Sequence, residues 1–165
     1  ADRAKDLKHK PAYVLGVGGA HSHRSITQMA DLTRTVAAES GPRAFQMAGL
    51  KPSDCDLVML YDAFTITTLL FLEDLGFCPK GEGGRFVQDG NIAPGGSLAV
   101  NTSGGGLSCV HPGMYGLFLI LEAVTQIRGQ AGERQLDKCD VAICHGNGGV
   151  LSSQVTALLG SEAAL

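Results

Sequence analysis

Apolar residues in this chain fall into short blocks separated by glycine and polar turns, and the spacing inside each block predicts its element. Residues 1–11 are a polar lead-in ending at Pro11. Tyr13-Val14-Leu15-Gly16-Val17 is a β-prone run closed by Gly18-Gly19, which predicts a buried strand. His21-Ser22-His23 and the polar stretch to Thr35 read as an extended loop. Ser40 suits the N-cap of a helix over 43–48, with Gly49 placed to end it. Leu57-Val58-Met59-Leu60-Tyr61 predicts a second strand. Asp62 then opens a helix whose Ile66, Leu69, Leu70, Phe71, Leu72 and Leu75 cover most of its circumference, so it reads as buried, and Gly76 stops it.

A glycine-rich loop follows, with Leu98-Ala99-Val100 as a short strand inside it. After His111 comes a helix with an apolar stripe of Leu117, Ile120, Leu121, Val124 and Ile127, ending at Gly129. Residues 139–144 predict another strand, 145–149 a turn, and 150–159 the last strand. The order β-α-β-α-β-α-β-β predicts an α/β domain with a mixed, mostly parallel sheet of about five strands. Strands joined through helices run parallel, and the final tight glycine turn allows only an antiparallel return.

Composition narrows the class. The 165 residues suit one domain, 1–165, long enough to bury a core. At 44% hydrophobic and 18% charged, with a net charge of −3, the chain carries no electrostatic footprint for nucleic acid. No apolar run approaches the ~18 residues of a membrane span. The charged N-terminus lacks a signal peptide's apolar core, and five scattered cysteines favour a reducing, cytoplasmic setting over disulfides. The chain does not begin with Met, which suggests a piece of something longer. Of the 23 glycines, nine lie between Gly81 and Gly106, so they mark one loop and not a general bias.

That loop carries the strongest chemical signal, Asn101-Thr102-Ser103-Gly104-Gly105-Gly106 running on to His111-Pro112-Gly113. Three consecutive glycines strip Cβ from a segment, which suits close approach of another group. Pro112 fits a first helical turn, where its missing N–H has no partner to lose. His111 then lies near exposed N–H groups and the positive end of the helix dipole, which favours a neutral imidazole able to act as base or donor. A histidine that merely caps the helix is the other reading. Tyr61-Asp62-Ala63-Phe64 and Cys144-His145-Gly146-Asn147-Gly148-Gly149 are two further polar clusters at strand ends, where open α/β sheets place their sites.

Taken in this order the three segments resemble the C-terminal half of the thiolase superfamily, in particular its lipid-transfer-protein or sterol-carrier-protein branch. The first matches the family's Asn-Glu-Ala-Phe or His-Asp-Cys-Phe loop, 101–112 its Asn-x-x-Gly-Gly-to-His-Pro motif, and 144–149 its Cys-x-Gly-x-Gly-Gly loop. The resemblance implies a thiolase-type acyltransferase that makes or breaks a carbon–carbon bond on a lipid or steroid-like 3-oxoacyl-CoA, with no cofactor beyond the coenzyme A thioester. It makes His111 the residue that activates a nucleophilic cysteine, Cys144 the acid or base at the substrate α-carbon, and Gly146 an oxyanion-hole donor. Asn101, Gly105 and Gly106 join the substrate-binding loop. The nucleophilic cysteine belongs to the family's other half, so the 165 residues alone are expected to lack thiolase activity.

Tyr61 stands where the family has Asn or His, and a phenol there can hold a carbonyl oxygen or move a proton. Tyrosines take such places in relatives that act as retro-aldolases on steroid side-chain CoA esters, so retro-aldol cleavage is an alternative, and a non-catalytic acyl-CoA-binding homologue is another. The resemblance further implies a homodimer, an exposed apolar face, and a small OB-fold and zinc-ribbon partner. Other readings stand beside these. Cys144 also suits a buried strand-end thiol, and Tyr115 suits the core or an interface. His21 and His23 read as solvated. Cys139, Cys144, His145, Cys109 and His111 lack a Cys-x-x-Cys pairing, which argues against zinc. Gly16-Val17-Gly18-Gly19 falls short of a dinucleotide loop. Residues 82–85 and Gly95-Gly96 are read as shaping a substrate tunnel or subunit contact.

Overall fold

A computed structural model describes residues 2–4, 6–109 and 113–165. Its five strands among those residues are β1 (Tyr13–His21), β2 (Leu57–Leu60), β3 (Ala99–Val100), β4 (Val141–Gly148) and β5 (Ser153–Gly160). They form one sheet in the order β1-β5-β4-β2-β3. β4 pairs with β2, and β2 with β3, in parallel, while β5 runs antiparallel to both of its neighbours. Four strands therefore share one direction and β5 alone opposes them, which is the mixed, mostly parallel sheet the element order predicts.

Helix α1 (Ala37–Ala48) packs on β1 and β5, and α2 (Thr65–Asp74) lies beside it on the same face. Helix α5 (Tyr115–Ile127) covers β4 and β2 on the other face. Alternation along the strands feeds both sides. Val58, Leu60, Ile143 and Leu158 join Ala44, Phe45, Phe71 and Leu72 on the α1/α2 side. Leu57, Met59, Ala142, Cys144 and Leu159 meet Leu119 and Ala123 on the α5 side. Two one-turn helices, α3 (Gly83–Phe86) and α4 (Gly105–Ser108), interrupt the glycine-rich loop.

Several boundaries differ from the sequence reading. β1 does not close at Gly18 but runs through Gly16, Gly18 and Gly19 to His21. A Cβ on Gly16 would collide with the Ala44 carbonyl, and one on Gly18 with that of Ser40, so these glycines let α1 lie directly on the strand. Ser40 is not an N-cap: α1 starts at Ala37, and the buried Ser40 hydroxyl pairs with Thr156 Oγ1 at 2.8 Å. Gly49 does end the helix, in the left-handed conformation at φ 68°.

Asp62 turns inward instead of opening α2, which begins three residues later. β4 continues through Gly148, so the turn into β5 falls at Gly149 and Leu151, with φ of 59° and 60°. Neither apolar helix is buried all round. Ile66 on α2 is 56% exposed, and Leu117, Ile120 and Leu121 of the predicted α5 stripe point outward. The sheet-facing side of α5 is instead Tyr115, Leu119, Ala123 and Ile127. No helix among the described residues is long and apolar enough to cross a membrane.

Candidate active site

The parallel strands β2, β3 and β4 end at one rim of the sheet, and three sequence-predicted segments meet there. The Tyr61 N–H donates to the His145 carbonyl at 3.0 Å, extending the β2–β4 ladder by one rung past the Leu60–His145 pair. This sets the half-buried Tyr61 beside Gly146 on the α5 side of the sheet. Gly146 lies against the first turn of α5, its Cα 4.0 Å from where a Cβ on Gly116 would stand. The Tyr61 ring meets that of Tyr115 edge-on, with centroids 5.3 Å apart and planes at 84°. Tyr115 is buried, as its core reading anticipated, and stacks on Phe118. Burial and then the nearby Asp62 charge push the Tyr115 phenol well above the ordinary tyrosine range.

Asn101 sits at the end of β3 with φ 49°, and both atoms of its side-chain amide are engaged by the backbone of Leu60. It ties the glycine turn to β2. Gly105 and Gly106 follow at the start of α4 and wrap the buried Asp62 carboxylate, which accepts the Gly106 N–H at 2.8 Å and the Leu107 N–H at 3.3 Å. His111 and Pro112, expected to lie beside this turn, fall outside the described residues.

Cys144 is 3% exposed and packs among Met59, Leu119 and Ala142, with Sγ 3.5 Å from the Leu119 carbonyl oxygen. Burial pushes its thiol far above the ordinary cysteine range. His145 points to the opposite face of the sheet, where it is fully buried and edge-on to Phe71. Its Nε2 lies 3.2 Å from Gln154 Oε1, an acceptor only, so Nε2 carries the proton and Nδ1 accepts from Thr156 Oγ1 at 2.9 Å. Burial drives its pKa down to about 4. His23, read as solvated, ties its loop to the Val150 carbonyl at 2.9 Å.

Of the clefts bordering the glycine turn, two hold about 370 Å³ each. One follows α5 past Tyr115, Ser103, Cys109, Phe118, Glu122 and Arg134. The other, on the α2 side, is lined by Asp62, Leu69, Val87, Ile92, Val100 and Leu107. Glu122 and Arg134 escaped the sequence reading. The buried Glu122 accepts from Thr102 Oγ1 at 2.8 Å, Gln126 Nε2 at 3.0 Å and Arg134 Nη2 at 2.9 Å. Burial works against its charge, but Arg134 and these donors win and hold the carboxyl below its usual range. Its signal was present, as the one acidic residue within the apolar run of the last helix.

A mixed sheet with helices on both faces, its polar clusters gathered where the parallel strands end, defines an α/β domain with a candidate site at the carboxyl rim. The chain belongs to the thiolase C-terminal domain-like family, whose sequence model matches residues 18–161. It is 40% identical over 151 residues to the acetyl-CoA acetyltransferase of Methanothermobacter thermautotrophicus, covering 90% of this chain and 39% of that one. It is 36% identical over 152 residues to the steroid side-chain-cleaving aldolase of Thermomonospora curvata, covering 89% of this chain and 38% of the relative. Among solved structures, the Ltp2-ChsH2(DUF35) aldolase superposes with a TM-score of 0.86 at 31% identity, over 100% of this chain and 43% of that one. The chain thus spans about two fifths of the length of these three relatives, and the resemblance carried by its three motifs is borne out.

Proposed function

We propose that this domain supplies the C-terminal wall of the active site of an acyl-CoA enzyme that cleaves a carbon–carbon bond in the retro-aldol sense. The observation that carries this is the Tyr61 phenol at the rim, beside Tyr115 and Asp62, while Cys144, the thiol that the resemblance makes catalytic, is buried and held protonated. In such a cleavage the 3-hydroxyl of a 3-hydroxyacyl-CoA loses its proton and the C2–C3 electrons flow to the thioester carbonyl. The resulting enolate is protonated at C2, releasing a carbonyl compound and a shortened acyl-CoA. Tyr61 relays one of these protons, and the backbone N–H groups of Gly146 and Gly105 are the proposed donors to the enolate oxygen. His111 joins them as base or donor, and no cofactor beyond coenzyme A takes part.

The identity to a steroid side-chain-cleaving aldolase supports a lipid or steroid-like acyl group. The pairing named in the Ltp2-ChsH2(DUF35) aldolase supports a companion protein, and the family resemblance is the ground for taking it as a small OB-fold and zinc-ribbon protein and for a second copy of the enzyme. Five free thiols favour a cytoplasmic setting.

The test uses the whole enzyme with a 3-hydroxyacyl-CoA, and with a 3-oxoacyl-CoA plus coenzyme A. Tyr61→Phe should lower aldol turnover by about 10²-fold or more, while Cys144→Ala leaves it within a fewfold. The 40% identity to an acetyl-CoA acetyltransferase favours a second reading, thiolytic acyl transfer. Turnover of the 3-oxoacyl-CoA that survives Tyr61→Phe and is lost with Cys144→Ala would establish that one instead.

A further inference from the structure

Asp62 is a buried charge to which the proposed chemistry gives no task. Its side chain is 4% exposed and stands just past the end of β2. The adjoining glycines are shaped around it. Gly105 adopts φ 71°, and a Cβ there would collide with Asp62 Oδ2. A Cβ on Gly106 would stand 3.1 Å from Asp62 Oδ1 on one side and 3.5 Å from the Tyr115 ring on the other. The carboxylate, the turn and the phenol ring are thus packed in a row with no room for a side chain between them. The Tyr115 hydroxyl interacts with Asp62 and with Ser103, and the other ionisable groups beside it are Tyr61 and Cys109.

We propose that Asp62 is a positioning residue: its carboxylate clamps the glycine turn to the end of β2 and holds the Tyr115 phenol as a protonated donor against Tyr61. The clamp is made of the two N–H bonds from Gly106 and Leu107. The hold on Tyr115 is electrostatic as well as geometric. A phenolate beside a buried carboxylate is a like-charge pair, whereas a phenol there donates its proton to the carboxylate. The Tyr61 ring, edge-on to Tyr115, then keeps a fixed partner at the rim. A carboxylate that only capped the short helix α4 would need the N–H bonds but not the phenol. The catalytic significance rests on the retro-aldol reading above, but the Asp62–Tyr115 relation does not.

The test separates the two. In the whole enzyme, ultraviolet difference titration of tyrosine ionisation is compared between wild type, Tyr115→Phe and Asp62→Asn. The transition missing from Tyr115→Phe should move to lower pH in Asp62→Asn, and an unmoved transition would overturn the proposal. Turnover is then read as a cycle: Asp62→Asn should lower kcat about tenfold with little change in KM, and lose far less in the Tyr115→Phe background. Equal losses in both backgrounds would mean that Asp62 does not act through Tyr115. Should Asp62→Asn fail to fold, amide hydrogen exchange of Gly106 and Leu107 in Tyr115→Phe replaces it. Loss of the phenol should loosen the clamp and speed exchange of these two amides about tenfold, and unchanged exchange refutes the pairing. A wild-type enzyme inert towards 3-hydroxyacyl-CoA would defeat the retro-aldol reading while leaving both of these readouts decisive.

Discussion

Asn101 completes a two-point pair with Leu60, accepting the Leu60 N–H at 2.7 Å and donating to its carbonyl at 3.1 Å. The side chain does what the next residue of a β-strand would do, and it does so where β3 has already ended. Leu60 is fully buried, so without Asn101 both backbone groups lose their partners. Asn101→Ala should destabilise the domain by about 3 kcal/mol, read from urea unfolding. Asn101→Gly should cost less than Ala, because glycine accepts the φ of 49° without strain. Equal stability of all three proteins would contradict this account.

The glycines of β1 provide a matched pair. Gly18→Ala drives a methyl group into the Ser40 carbonyl and to 2.9 Å from the Ala44 amide nitrogen, whereas at Gly19 the nearest atoms are 3.9 Å away. Thermal melts should show Gly18→Ala losing about 2 kcal/mol or more, and Gly19→Ala within about 0.5 kcal/mol of wild type.

His145 makes stability depend on pH. Its folded pKa of about 4 lies below the unfolded value near 6.5, so the unfolded chain binds the proton more readily. The folded state keeps its full advantage above pH 6.5 and loses it progressively as pH falls towards 4, by on the order of 3 kcal/mol. Urea titrations across that window should show the decline, and His145→Gln should flatten it. A wild-type profile equally steep in both proteins would assign the dependence to other groups.

Thiol chemistry separates the cysteines. Cys109 is exposed on the rim of the α5 cleft, whereas Cys55 and Cys144 are buried, and burial pushes Cys55 up to about 12. An aromatic disulfide reagent should label Cys109 first in the folded protein and reach Cys144 only after unfolding. Mass mapping after brief exposure reads the order, and early labelling of Cys144 would show that its pocket opens.

The Glu122–Arg134 pair is asymmetric. Glu122 is buried and holds Thr102 and Gln126 as well, while half of the Arg134 side chain meets solvent. Glu122→Ala should cost about 3 kcal/mol, because it strands several donors at once. Arg134→Ala should cost clearly less, since Glu122 retains its other partners. Unfolding curves that reverse this order would refute the asymmetry.

Local features carried much of the structure in plain view. Turn chemistry and residue period placed each major strand and helix in order, and Gly49 stops α1 in the conformation its residue type suggested. The motifs at Tyr61, Asn101, Gly105 and Gly146 could be marked because they interrupt apolar runs at strand ends. These signals are written within a few neighbouring residues, so the chain alone decides them. Contacts between distant segments decided the rest. Gly18 belongs to a strand because α1 lies against it, and Asp62 turns inward because two amides of a loop more than forty residues away receive it. Cys144 and His145 are adjacent, yet the sheet sends one towards α5 and the other towards Phe71. A period-two strand announces that its faces alternate, but which face meets which helix is set only when the layers pack.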